Sequence, residues 1–112
     1  MSQKYLGEFE EVVLLTIGII YQDAYGASIR DEIQRQLGRV VRLGALHATL
    51  VRLEKKGLIT SYLGEATSRR GGKRKRYYQV TAEGKAAVRQ SRDSRSKLWD
   101  ALSDTSFTLF FA

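Results

Sequence analysis

Six cations in eight positions, Arg69, Arg70, Lys73, Arg74, Lys75 and Arg76, are the densest chemistry in this chain. What they offer is the neutralisation of phosphate. Gly71 and Gly72 stand between them and supply a turn, so the cations belong to the tip of a loop. A second group lies upstream, where Arg42, His47, Arg52 and Lys55 alternate with the small residues Gly44, Ala45 and Ala48. Guanidinium groups bond guanine edges or phosphates in pairs, and small side chains let a helix approach another surface closely. Catalytic sets are missing. Without cysteine there is no disulfide, thiolate zinc site or thiol nucleophile, and a single histidine leaves no metal cluster and no nucleophile with its base. No paired carboxylate motif or glycine-rich phosphate loop opens a helix either. The expectation is a protein that is not an enzyme and uses no metal or cofactor.

The distribution of charge narrows the partner. Residues 33–92 hold fifteen Lys and Arg against three acids, a balance of +12, while residues 1–32 sum to −4 and residues 93–112 to −1. A face exposed only to water normally mixes its signs, so this segregation favours a polyanion, nucleic acid before lipid headgroups. The longest apolar run, residues 12–21, is far short of the roughly 20 residues that cross a bilayer, and no basic-then-apolar leader opens the chain. No membrane partner and a cytoplasmic location are expected. A chain of 112 residues can build one small core.

The elements that position these residues follow from periodicity. Residues 43–56 form a helix in which Leu43, Leu46, Leu50 and Leu53 make one apolar stripe. The opposite face carries Gly44, Ala48, Arg52 and Lys55, with His47 and Val51 on its shoulder, and Gly57 ends the helix. Before it, residues 7–22 read as a helix apolar almost all round, which must be covered on every side and so hints at a second subunit. Residues 27–37 form another, with Ile29, Ile33 and Leu37 in its stripe and Gly38 as its stop. Residues 39–42 are too short for more than a turn or one β-bridge. This is a helix-turn-helix arrangement.

After it, residues 58–64 and 76–81 have strand character and flank the basic loop. The fold class expected is mainly α with a small β-hairpin: a winged helix-turn-helix with an added C-terminal helix. Residues 1–81 would be the DNA-binding unit and residues 82–112 the dimerisation segment. Thr81 is the expected N-cap of a helix over residues 82–101, whose middle, residues 89–97, has no apolar side chain. The chain closes on SFTLFFA, an apolar tail that needs a groove against the first helix or across a dimer.

The stretches YGASIRDEI, LGALHATLVRLEKKGLI and KRYYQVTAEGK resemble the winged-helix domain of PadR-like bacterial transcriptional regulators, over residues 6–90. The matching positions are Gly26, then Arg52, Leu53 and Glu54, then Gly57, Leu58 and Ile59, then Tyr77, Tyr78, Thr81 and Gly84. Two features depart from that pattern: His47 and Ala48 stand where the family has a Tyr-Pro pair, and residues 89–97 are less apolar than its C-terminal helix. The resemblance implies a homodimeric, nucleoid-associated repressor on a partly palindromic duplex DNA operator, with the third helix in the major groove and the wing at the minor groove.

The DNA-binding residues are then Arg42, Gly44, Ala45, His47, Ala48, Arg52 and Lys55, with the wing cations Arg69, Arg70, Lys73, Arg74 and Lys75. His47, in place of the family's tyrosine, would donate one bond to the DNA backbone. Phe9, Val12, Val88, Leu98, Trp99, Leu102, Phe107 and Phe110 would form a dimer interface or a pocket for a small apolar or aromatic effector. The alternative reading is a winged helix that binds RNA or docks on protein without operator specificity.

Overall fold

In the computed structural model, residues 5–65 and 74–111 are described, with side chains as far as Leu109. The first helix, α1 (Glu8–Ile20), opens on Gly7, whose N–H donates to Glu10 Oε1 at 2.8 Å, and Glu8, Glu10 and Glu11 complement its dipole. It is shorter than residues 7–22: Tyr21 leaves the helix at φ 53° and begins a 3₁₀ turn, Tyr21–Asp23. Val13, Leu14 and Ile17 are buried, but Leu15 and Ile19 are more than half exposed. The fold thus covers only part of this apolar helix.

The second helix, α2 (Gly26–Leu37), buries Ile29 and Ile33 completely and stops at Gly38, left-handed at φ 63°. Leu37, the expected third member of its stripe, is exposed, because it is the last helical residue and the chain turns away after it. Residues 38–42 make no bridge. The isolated bridge among the described residues joins Tyr25 to Tyr77.

The third helix, α3 (Leu43–Lys55), packs Leu46, Leu50 and Leu53 against α1 and α2. Leu43 is 48% exposed and drops out of the stripe, since at the first helical position no preceding turn covers it. Thr49 replaces it in the core, its hydroxyl donating to Ala45 O at 3.0 Å. The helix closes through Gly57 at φ 76°, with Gly57 N–H to Glu54 O and Leu58 N–H to Leu53 O, both 3.0 Å, the paired bonds of a Schellman cap.

Two antiparallel strands follow, β1 (Ile59–Leu63) and β2 (Arg76–Val80), in register Ile59 with Val80 and Leu63 with Arg76. Tyr78 and Ile59 face the core, and Tyr78 N–H donates to Ala24 O at 2.8 Å, fastening the hairpin to the start of α2. This is the wing of a winged helix-turn-helix.

The C-terminal helix, α4 (Ala82–Ala101), is capped as expected: Thr81 Oγ1 accepts the Gly84 N–H at 3.0 Å and donates to Gly57 O at 2.8 Å. A methyl on Gly84 would come within 2.1 Å of Leu58 O, so only glycine lets the helix approach the start of β1 this closely. The polar middle of α4 is not idle. Ser91 donates to Glu11 Oε1 at 2.7 Å and Arg95 pairs with the same, largely buried, carboxylate, so α4 is tied to α1 by charge where apolar residues are lacking. The closing segment is a further helix, α5 (Asp104–Phe111), whose Phe107 stacks on Trp99 of α4 at 6.1 Å between centroids. Among the described residues, this stacking joins the closing segment to the end of α4.

Candidate nucleic-acid interface

With Thr49 buried in place of Leu43, the buried arc of α3 is centred roughly 30° from where the leucine stripe alone would put it, at 100° per residue. The exposed face turns with it. Its centre is now Gly44 and Lys55, with Val51 and Ala48 on either side, and His47 and Arg52 on the two flanks. Arg42, Gly44, Ala45, His47, Ala48, Val51, Arg52 and Lys55 are all exposed. A methyl placed on Gly44 would meet nothing within 4 Å, so the first turn lies open. Among the described residues, no hydrogen bond or ion pair occupies the side chains of Arg42, His47 or Lys55. These three, with the open backbone at Gly44, are what the helix presents.

Arg52 differs from the other cations. Its Nη2 donates to Thr49 Oγ1 at 3.0 Å and its Nε lies 3.7 Å from Glu10 Oε2, so the side chain leans back toward α1. Lys56 completes the cluster, donating to both oxygens of Glu10 at 2.8 and 2.9 Å. Burial by itself would raise the Glu10 carboxyl, but the Lys56 bond, the Gly7 N–H and the charges of Lys56 and Arg52 together hold it below its ordinary value of 4.5. One buried acid thereby joins the start of α1 to the end of α3.

The wing is stitched to the edge of the same exposed face. Ser61 of β1 donates to Glu54 of α3 at 2.9 Å and accepts from Arg76 of β2 at 3.0 Å, a polar chain from helix to hairpin. On the other side of the hairpin, Tyr77 stacks on Tyr62 at 5.6 Å and meets Tyr25 edge-on at 5.7 Å. Lys75 sits over the Tyr25 ring, 4.0 Å from its centroid. Gly64 completes this packing, since a methyl there would lie 2.5 Å from the Tyr77 ring. The root of the wing is therefore fixed. Arg74 is exposed and Lys75 half-buried; Arg69, Arg70 and Lys73 lie outside the described residues.

Of the residues expected at a dimer interface or pocket, Phe9, Val12 and Val88 are half-buried against the chain's own core, and Arg39 covers the Phe9 ring at 5.0 Å. Leu98, Trp99 and Phe107 are exposed, and Leu98, Trp99 and Leu102 line an open groove of about 430 Å³ beside Arg95. The side chain of Phe110 lies outside the described residues.

Two contributors escaped the sequence reading. Val51 counted as a shoulder residue because helical periodicity admits Leu43 to the core as readily as Thr49. Tyr25 was passed over as part of a connection, although three tyrosines at positions 25, 62 and 77, two of them in strands, are the signal from which an aromatic brace could have been read.

Comparison with known proteins agrees with this geometry. Residues 13–90 match the model of the transcriptional regulator PadR-like family. A protein from Lysinibacillus sphaericus is 37% identical over 82 residues, 71% of each chain. Among solved structures, a transcriptional regulator from Clostridium thermocellum aligns with TM-score 0.70 and 25% identity over 93% of this chain and 91% of that one. A PadR family transcription regulator from Clostridium difficile aligns with TM-score 0.66 and 25% identity over 91% and 98%. No described helix is long and apolar enough to cross a membrane. With its winged helix-turn-helix, its cationic third helix and a family match over most of its length, this chain belongs to the PadR-like family of DNA-binding transcriptional regulators.

Proposed function

We propose that this protein is a cytoplasmic repressor that binds a partly palindromic operator as a homodimer. Each subunit lays α3 in the major groove and its wing against the neighbouring minor groove. Residues 1–81 do the binding and residues 82–112 the pairing. The observation that carries this reading is the open face of α3, with the unoccupied cations Arg42 and Lys55 and a wing root stitched to its edge through Glu54, Ser61 and Arg76. Arg69, Arg70, Lys73, Arg74 and Lys75 then meet phosphates, in the main without reading sequence. His47 donates to the DNA backbone from the position of the family's tyrosine, and the free N–H groups at the start of α3, opened by Gly44 and Ala45, approach a phosphate.

Pairing is supported by apolar surface left uncovered, Leu15 and Ile19 on α1 and Leu98, Trp99 and Phe107 at the C-terminal end. The groove beside Trp99 is also where a small apolar or aromatic effector would release the operator.

Selection of bound duplexes from a random pool tests the reading. A two-fold motif with half-sites about one helical turn apart is the expected result. Absence of any shared motif, or equal affinity for RNA of the same length, overturns it.

A further inference from the structure

Bases are distinguished in the major groove by a few side-chain chemistries: Arg or Lys for guanine, Asn or Gln for adenine, Asp or Glu for cytosine, and apolar groups for the thymine methyl. The exposed face of α3 from Leu43 to Val51 holds no amide, acid or cation. Glu54, one turn further on, is taken by Ser61, and Arg52 leans back on Thr49 toward Glu10. Between Arg42 and Lys55, what remains facing outward is Leu43 at 48% exposure, Val51 at 39%, Ala45, Ala48, the bare backbone of Gly44, and His47 as the one unengaged hydrogen-bonding side chain of that span.

Resting on the reading of α3 as the major-groove helix, we propose that the chain selects its half-site through thymine methyl groups seated on Val51 and Ala48, with Leu43 at the edge. Charge complementarity identifies the occupant. This apolar strip lies between Arg42 at one end of the helix and Lys55 at the other, and a second protein core would bury both cations, whereas a duplex meets them with phosphates. Length fits as well. Gly44 to Val51 spans about 10 Å of helix, the height of about three stacked base pairs, so the methyl-bearing positions fall within one run of about three.

The test replaces thymine by uracil in the contacted run of an operator selected from a random pool, which removes only the methyl groups. Wild-type protein should lose about fourfold in affinity for each contacted methyl. Val51→Ala, a change at an exposed position that leaves the core intact, should lose affinity for the thymine operator but tolerate uracil at its own contact without further loss. Equal binding of the thymine and uracil operators, or losses from Val51→Ala and uracil that simply multiply, overturns the methyl readout while the operator-binding reading stands. A pool that yields no motif at all overturns both.

Discussion

Arg42, Arg52 and Lys55 look alike in the sequence, yet the fold gives them different work. Arg42 and Lys55 face outward, whereas Arg52 is engaged by Thr49 and approaches Glu10. Replacing Arg42 or Lys55 by Ala should each lower the slope of log affinity against log salt by about 0.9, and Arg52→Ala should leave that slope unchanged; titrations at several salt concentrations separate them. Gly44 makes the opposite kind of test. Because nothing stands within 4 Å of its missing methyl, Gly44→Ala should raise stability by up to about 1 kcal/mol through helix propensity while weakening operator binding. Parallel melting and binding curves would read both effects.

Glu10 carries a pH signature. Its carboxyl is held below 4.5 in the folded chain, so the stability it confers is present above that value and is lost as pH falls through the depressed folded value. The stability gap between wild type and Glu10→Gln should therefore be widest near neutrality and narrow on acidification below pH 4.5.

At the scale of elements, the sequence marks caps more reliably than faces. Gly38, Gly57 and Thr81 end or begin helices where expected, because each needs only a local conformation or one nearby oxygen. Leu37 and Leu43 miss the core because periodicity continues to the last residue of a helix while the covering neighbour does not. The same blindness misplaced Val51 and hence the middle of the exposed face of α3. The polar run in α4 was opaque for another reason: its partner, Glu11, lies eighty residues away, and no local pattern announces a long-range ion pair. Thr81 serves two elements at once, so Thr81→Ala should cost about 1 to 2 kcal/mol and lower the melting temperature by several degrees. Thr81→Ser should recover most of it.

Across the whole molecule, the wing and the third helix share one edge, and besides the exposed apolar residues of that edge, Leu43, Val51, Tyr62 and Leu63, others lie on α1, Leu15 and Ile19, and at the C-terminal end, Leu98, Trp99 and Phe107. If pairing uses that second surface, Trp99→Ala should weaken the dimer in sedimentation experiments before it alters any response to an aromatic effector. Intact pairing with a lost response would instead make Trp99 a ligand contact.

The missing side chain at Gly84 then matters far from where it sits. It lies near the start of a rod of 20 residues, about 30 Å long, pressed against the backbone oxygen of Leu58. Pushing that pivot outward by the width of one methyl would swing the distant tip by several times as much, and, if two subunits pair there as proposed, the separation of their reading heads with it. A single hydrogen in place of a carbon therefore calibrates a ruler, and Gly84→Ala should change which operator spacing is preferred among any molecules that still fold.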